Sequence, residues 1–139
     1  MFWDSSALVP ILVPEARSSG LTSLLVGDKE PAMWWATPLE VQSALYRRHR
    51  GSPLPSPAMR QATERLRAFV EHADSVAPTD ELRHRAGRLV AVHPLRAADA
   101  LQLAAALVWC EDQPQTETFV SLDERLRAAA MKEGFTVAL

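Results

Sequence analysis

The chain has 139 residues, 47% of them hydrophobic, and a formal net charge of −2. This length allows one well-buried core and is too short for two ordinary domains, so we expect a single domain over residues 1–139. The charge provides no overall attraction for a polyanion, and the single cysteine, Cys110, excludes an internal disulfide and a multi-cysteine zinc site.

The apolar segments are too short for a membrane protein. No run approaches the roughly 20 apolar residues that span a bilayer, and the first residues lack the basic flank and apolar core of a signal peptide. A lone cysteine also agrees with a reducing compartment. We therefore expect a soluble, cytoplasmic protein that does not bind membranes.

The first half of the chain alternates short apolar runs with helical patterns. Predicted here are a strand over residues 1–4, helices over 5–13 and 15–26 separated by Pro14, a strand over 32–36, and a helix over 37–50. Thr37 is the predicted cap of the last of these helices, and Pro38 stands in its first turn. A proline-rich connector follows at residues 51–57.

The second half continues the alternation. Predicted here are helices over residues 56–73, 79–92, 97–110 and 123–132, with strands over 75–77, 118–122 and 135–139. In the helix over 79–92, Leu82, Leu89 and Val92 are expected to face inward. Such alternation predicts an α/β protein with a parallel sheet flanked by helices.

Four carboxylates stand where a short apolar run gives way to a helix: Asp4, Glu40, Asp99 and Asp123. Because all strand-to-helix turns of a parallel sheet share one edge, these acids are expected to converge. Two charges about 4 Å apart repel by roughly 4 kcal/mol at an effective dielectric near 20, so protonation or a cation must relieve the cluster. Oxygen ligands suit Mg²⁺ or Mn²⁺. The sequence therefore predicts metal-assisted phosphodiester chemistry.

Each acid also has a simpler explanation, because helix N-termini favour carboxylates. Asp4 could cap the helix that follows it, Glu40 could complete a capping box, and Asp99 suits the first turn of its helix. Asp123 is harder to explain, because Ser121 can cap that helix and leave Asp123 without a capping role. Capping of single helices does not explain why the acids share one sheet edge, so we favour a common site.

Other acid-based or phosphate chemistries fit less well. A phosphatase with a phosphoaspartate intermediate needs a second carboxylate two residues after the first, where this chain has Ser6. The chain has no Gly-x-Ser-x-Gly segment for a serine hydrolase and no glycine-rich phosphate loop. These observations leave the metal site as the preferred hypothesis.

Four ordered segments resemble a known family: DSSALV at residues 4–9, LEVQSAL at 39–45, LRAADALQLAAA at 95–106 and FVSLDERL at 119–126. On these segments the chain resembles the PIN-domain ribonucleases, and specifically the VapC toxins of bacterial toxin–antitoxin pairs. The resemblance covers nearly the full length. It implies a PIN-like, three-layer α/β/α fold with a small parallel sheet of four or five strands.

The resemblance also implies a function. Members of the family are Mg²⁺- or Mn²⁺-dependent endoribonucleases, and their acidic cluster corresponds here to Asp4, Glu40, Asp99 and Asp123, as catalytic residues and metal ligands. Ser5 or Ser6, and Ser121, correspond to hydroxyl residues that orient carboxylates or a metal-bound water, although helix capping explains them equally well. The family further implies a homodimer and a cognate antitoxin that covers the site.

RNA binding would need basic residues near the acids. Candidate contacts to RNA phosphates are the basic residues that end the helix beginning near Glu40 and those that precede the Asp99 helix. The first group is Arg47, Arg48, His49 and Arg50, and the second is Arg83, Arg85, Arg88 and Arg96. Their simpler role is to complement a helix dipole or to form a solvated face. Arg96 is the best candidate because it is closest to an acid.

The remaining notable side chains receive structural roles. Trp3, Trp34 and Trp35 stand in apolar strand contexts and are expected in the core. The four histidines have no partner at ligand spacing, so surface or capping roles are expected. Cys110 is expected to act as a small buried hydrophobic residue.

Two competing functions remain open. One is a non-catalytic interaction module whose acids only cap helices, and the other is a PIN nuclease outside a toxin–antitoxin pair that processes RNA or cuts DNA. Metal titration separates the first from the nuclease, because an inert module should not be stabilised by Mn²⁺. A small, basic-rich reading frame immediately upstream would favour the toxin.

Overall fold

Short strands and longer helices alternate along the chain in a computed structural model that describes residues 1–13 and 18–138. The strands are β1 (Phe2–Trp3), β2 (Ala32–Trp34), β3 (Asp74–Val76), β4 (Thr118–Val120) and β5 (Thr136–Ala138). The helices are α1 (Ser5–Leu12), α2 (Ser18–Gly27), α3 (Thr37–Gly51), α4 (Ser56–His72), α5 (Asp80–Val92), α6 (Ala97–Trp109) and α7 (Glu124–Lys132), with a 3₁₀ turn over Pro114–Thr116.

The five strands form one sheet in the order β3-β2-β1-β4-β5, and every neighbouring pair is parallel. Phe2 in the central strand pairs with Ala32 of β2 and with Phe119 of β4. The chain builds the sheet outward from β1 to β3 and then returns to the other side of β1. The carboxyl ends of β1 and β4 therefore flank a topological switch point, where parallel α/β sheets bind their ligands.

Alternating strand residues divide the core between the two faces of the sheet. Phe2 and Trp34 pack with helices α5, α6 and α7 on one face, whereas Trp3 and Met33 pack with α1 to α4 on the other. Each face thus has its own apolar cluster. The prediction of a parallel sheet between helix layers, in a three-layer α/β/α arrangement, is confirmed.

Trp35 lies outside the core, contrary to the prediction. Strand β2 ends at Trp34, and the Trp35 N–H makes a final bond to the Val76 carbonyl at the end of β3. Among the described residues, Trp35 belongs to neither apolar cluster of the core. Trp35 is 60% exposed and packs its ring at 68° to Trp34, with the centroids 6.5 Å apart.

The end of α5 also differs from the prediction. Leu82 and Leu89 are buried as expected, but Val92 is 59% exposed. His93 takes the inward position instead: it is buried, its N–H donates to the Leu89 carbonyl, and its Nε2 lies 2.6 Å from Glu133 Oε1. Of the two expected roles, surface or capping, His93 has the second: its backbone caps α5, while its side chain is buried.

Some predicted features lie outside the described residues, namely the break at Pro14, the first residues of the helix predicted over 15–26, and the last residue of the final strand. In residues 1–13 and 18–138, no helix has both the length and the apolar character needed to cross a membrane.

Candidate active site at the carboxyl edge of the sheet

Three of the four acids follow adjacent strands. Asp4 comes directly after β1, Glu40 lies in the first turn of α3 after β2, and Asp123 caps α7 after β4. Because β2, β1 and β4 are parallel neighbours, these residues reach the same edge of the sheet. The edge contains the switch point described above.

Asp99 reaches this edge by another route. It lies in the first turn of α6, which follows α5 through residues 93–96 and not through a strand. Helix α6 then leads through the 3₁₀ turn to the start of β4, so it runs opposite to the strands. With 13 residues it spans about 20 Å, which brings its amino end to the carboxyl edge of the sheet.

An open cleft of about 990 Å³ lies at this edge. Glu40, Asp99 and Asp123 line it, together with Ser5 and Ser6. Asp4 does not line the cleft and is only 4% exposed. The structure thus brings three of the four predicted acids to one cleft, which Glu124 also lines, and buries Asp4 next to serines that form its wall.

The Asp4 carboxylate is held by three serines. Its Oδ2 accepts hydrogen bonds from the Ser6 N–H at 3.2 Å, from the Ser6 hydroxyl, and from the Ser121 hydroxyl at 2.8 Å. Its Oδ1 accepts a weaker bond from the Ser5 hydroxyl at 3.4 Å. Asp4 therefore does cap α1, as its simpler explanation requires, but Oδ1 keeps most of its acceptor capacity.

The two serine hydroxyls also join the β1–α1 connection to the β4–α7 connection. Ser121 Oγ accepts from the Asp123 N–H at 3.0 Å, and Ser6 Oγ accepts from the Leu122 N–H at 2.9 Å. Ser121 is fully buried. The orientation of Asp4 is thus coupled to the start of the segment that carries Asp123.

Replacing Ser121 by alanine should destabilise the protein by about 1–3 kcal/mol, because Asp4 loses a buried donor and the Asp123 N–H loses its acceptor. Urea unfolding of the two proteins measures this difference. The matched control is Ser19→Ala on the exposed side of α2, where the change should stay within about 0.5 kcal/mol. Equal effects of the two substitutions would contradict the proposed coupling.

Asp123 has the capping role that the sequence analysis assigned to Ser121, so that prediction is wrong. Asp123 Oδ1 accepts from the Leu126 N–H at 2.8 Å, whereas Ser121 turns inward toward Asp4. The described residues donate no hydrogen bond to Asp123 Oδ2. One oxygen of an exposed carboxylate therefore remains available at the cleft.

The capping box expected at Glu40 is also absent from the described residues. Thr37 is the first residue of α3, after an Ala36 that provides no side-chain cap. The Thr37 hydroxyl donates to Gln102 Oε1 at 3.2 Å, and Gln102 Nε2 donates to Glu40 Oε2 at 2.8 Å. Capping does not explain Glu40, whose carboxylate is hydrogen-bonded by Gln102 from α6 and by the Ser5 side chain from α1.

Gln102 was not among the predicted site residues. A signal was present, because Gln102 is the one polar residue in the apolar stretch 100–109. It also comes three residues after Asp99, a spacing that places both on one face of α6. The hydrogen-bond partner of Gln102 depends on how α6 packs against α3, and the sequence of neither helix alone predicts this packing.

The acids at this edge repel one another. Burial raises the pKa of Asp4, Glu40 and Asp99. The charges of Asp4 and Asp99 raise the pKa of Glu40 further, and those of Asp123 and Asp4 do the same for Asp99. Hydrogen bonds from Ser6 and Ser121 partly offset the effect of burial on the pKa of Asp4. The four carboxylates are therefore close enough to interact electrostatically.

Three arginines line the cleft beside the acids: Arg47, Arg96 and Arg125. Arg48 does not line it, because consecutive residues point about 100° apart around a helix. Arg125 was missed by the sequence analysis, although it stands two residues after Asp123. The cleft thus combines acids with cations that suit a phosphate backbone.

Within residues 1–13 and 18–138, no three His, Cys, Asp or Glu side chains are arranged to hold one metal ion together. The acids share an edge and a charge interaction without forming a closed set of ligands. Mg²⁺ usually takes one or two carboxylates and fills its shell with waters and substrate phosphates. The weakly held Oδ1 of Asp4, the Oδ2 of Asp123 and the carboxylates of Glu40 and Asp99 fit that donor chemistry.

Comparison with known proteins does not identify a family. No family model matches the chain, and no curated protein matches it. Membership of the PIN domains therefore stays a prediction that rests on the four sequence segments.

Proposed function

We propose that this protein is a Mg²⁺- or Mn²⁺-dependent endoribonuclease that acts as the toxin of a toxin–antitoxin pair. The observation that carries the proposal is the meeting of Asp4, Glu40, Asp99 and Asp123 at one sheet edge. Burial raises the pKa of the first three, and the charges of neighbouring acids raise the pKa of Glu40 and Asp99 further. Such an arrangement lowers the stability of the folded protein, and its retention is explained if a cation binds between the acids.

Asp4 and Asp99 would ligate the metal directly, and Glu40 and Asp123 would either ligate it or hold its waters. A bound Mg²⁺ or Mn²⁺ supplies an activated water and offsets charge on the phosphate. The residues that line the cleft include no His, Lys or Cys in the described part of the chain, so no base other than a carboxylate is placed to activate a serine. Direct attack by water on the phosphodiester is therefore the proposed reaction.

The protein residues divide this task. Ser6 and Ser121 fix Asp4 through its Oδ2, so Oδ1, which accepts a weaker bond from Ser5, would be the oxygen that ligates the metal. Glu40, with its raised pKa, suits the role of accepting a proton from the attacking water. As water adds to phosphorus and gives its proton to Glu40, the bond to the leaving oxygen would break, and that oxygen would take a proton from solvent.

The competing interaction module is less consistent with this geometry. Asp4 and Asp123 do cap helices, as that function requires. Glu40 does not, because its carboxylate is held by the buried Gln102. A protein that used its acids only as caps would have no need to keep Glu40 and Asp99 in a repulsive cluster.

The resemblance to VapC toxins supports four further parts of the proposal: RNA as the substrate, an antitoxin partner, a homodimer and a cytoplasmic location. The three arginines of the cleft add support for a nucleic acid, because they provide local positive charge on a protein of net charge −2. A PIN nuclease outside a toxin–antitoxin pair would use the same site, so the test must compare substrates.

The test is cleavage of total RNA by the purified protein in Mg²⁺, in Mn²⁺ and in EDTA. We expect RNA fragments with either metal and none in EDTA. A single-stranded DNA of matched sequence serves as the second substrate, and its cleavage at an equal rate would favour the general nuclease. Intact RNA in both metals would contradict the proposal.

Arg96→Ala should weaken RNA binding and reduce its dependence on salt. Removing one phosphate contact lowers the slope of log K against log salt concentration by about 0.7 to 1. Steady-state cleavage at several salt concentrations measures this as a rise in KM with little change in kcat. The control is Arg83→Ala, since Arg83 lies outside the cleft and pairs with Asp80 at the surface. Identical salt slopes for the two variants would rule out the contact.

A further inference from the structure

Gln102 is a buried amide in an otherwise apolar part of α6. It is 1% exposed, and its neighbours Leu103 and Ala104 belong to the core. Burying an amide in such surroundings is unfavourable unless both ends find partners. Both ends do so here, because Nε2 donates to Glu40 and Oε1 accepts from Thr37.

The chemistry of the partners fixes the orientation of the amide. An ionised Glu40 can only accept, so the NH₂ group must face it, and the carbonyl is then left for the Thr37 hydroxyl. The bond to Thr37 in turn prevents the amide from turning away from Glu40. One oxygen of Glu40 is thereby held by a donor whose own position is fixed.

This link joins the two helix layers at the cleft. Helix α3 packs through Val41 and Leu45 on one face of the sheet, whereas α6 packs through Leu103 on the other. The bonds of Gln102 to α3 therefore run past the sheet edge and not through either apolar cluster. Because α6 also carries Asp99, the same helix sets the positions of two acids, one directly and one through Gln102.

We propose that Gln102 is a positioning residue that holds Glu40 at the metal-binding cleft beside Asp99. This inference rests on the proposed function, because it gives Glu40 a part in binding the metal. Gln102 touches neither metal nor RNA and acts through Glu40. Loss of an outer hydrogen-bond partner of a metal ligand typically weakens metal binding by about 10- to 100-fold.

The experiment measures the Mn²⁺ affinity of the full chain by titration calorimetry. Four proteins are compared: wild type, Gln102→Leu, Glu40→Gln and the double variant. We expect Gln102→Leu to weaken Mn²⁺ binding by about 10- to 100-fold. In the Glu40→Gln background the same change should have no further effect, because the residue through which it acts is already altered. The control is Gln42→Leu on the exposed side of α3, which should bind Mn²⁺ as the wild type does.

Two results would overturn the inference: wild-type Mn²⁺ affinity in Gln102→Leu, or an equal loss in both backgrounds. If Gln102→Leu does not fold, Thr37→Val provides the same test, since it removes only the outer bond and should give a smaller loss that disappears with Glu40→Gln. The proposed function fails separately if the wild type binds Mn²⁺ but does not cleave RNA. A wild type that binds no Mn²⁺ would overturn both.

Discussion

Asp4→Asn is expected to abolish RNA cleavage and leave the protein folded. The substitution removes the charge that Oδ1 offers to the metal, and metal stabilisation of the transition state contributes several kcal/mol. Since each 1.36 kcal/mol is a factor of ten in rate, the loss should be about a hundredfold or more. Single-turnover cleavage of a defined RNA in Mn²⁺ measures it.

The fold should survive because asparagine caps helices about as well as aspartate does. The Ser6 N–H keeps an acceptor at the start of α1, and the hydroxyls of Ser6 and Ser121 can still bond to an amide oxygen. Asp80→Asn is the matched control, because Asp80 is exposed in the first turn of α5 and does not line the cleft. Cleavage by Asp4→Asn within tenfold of the control would contradict the metal mechanism.

The layers of the fold were predictable because they follow from local patterns. The helical spacing of Leu82 and Leu89 can be recognised from neighbouring residues alone, and so can the apolar runs of β2 and β4. The two leucines and the apolar residues of both strands are buried as expected. Element ends were less predictable. Trp35 belongs to an apolar run by composition, but the strand stops where its neighbour β3 stops, and that limit is set by a distant segment.

The acids of the candidate site could be predicted from the sequence, but the side chains that hydrogen-bond to them could not. The acids after β1, β2 and β4 could be inferred to meet, because parallel strands share an edge. Asp99 reaches that edge through the direction of α6, which the sequence analysis did not use. The bonds of Ser121 to Asp4 and of Gln102 to Glu40 join residues 117 and 62 positions apart, so they depend on strand register and helix crossing.

Asp99→Asn is expected to stabilise the metal-free protein at neutral pH. Burial, and then the charges of Asp123 and Asp4, raise the pKa of Asp99 in the folded state. The folded wild type therefore binds more protons than the unfolded chain, and its stability falls as the pH rises from the ordinary value of 3.8 through the folded pKa. The variant lacks this loss, so its advantage should be present above the folded pKa and vanish at acid pH.

Urea unfolding in EDTA across this pH range measures the effect, with Asp80→Asn as the control at an exposed position. Mn²⁺ should reverse the order of stability, because a ligand at 100 times its Kd stabilises the wild type by about 2.7 kcal/mol and Asp99→Asn would bind it poorly. The sign of the metal-free result separates the two explanations of Asp99. If Asp99 served only the helix dipole, neutralising it would lower the free energy of unfolding of the protein by about 0.3–1 kcal/mol. If Asp99 is kept for a cation, the metal-free protein becomes more stable when that charge is removed.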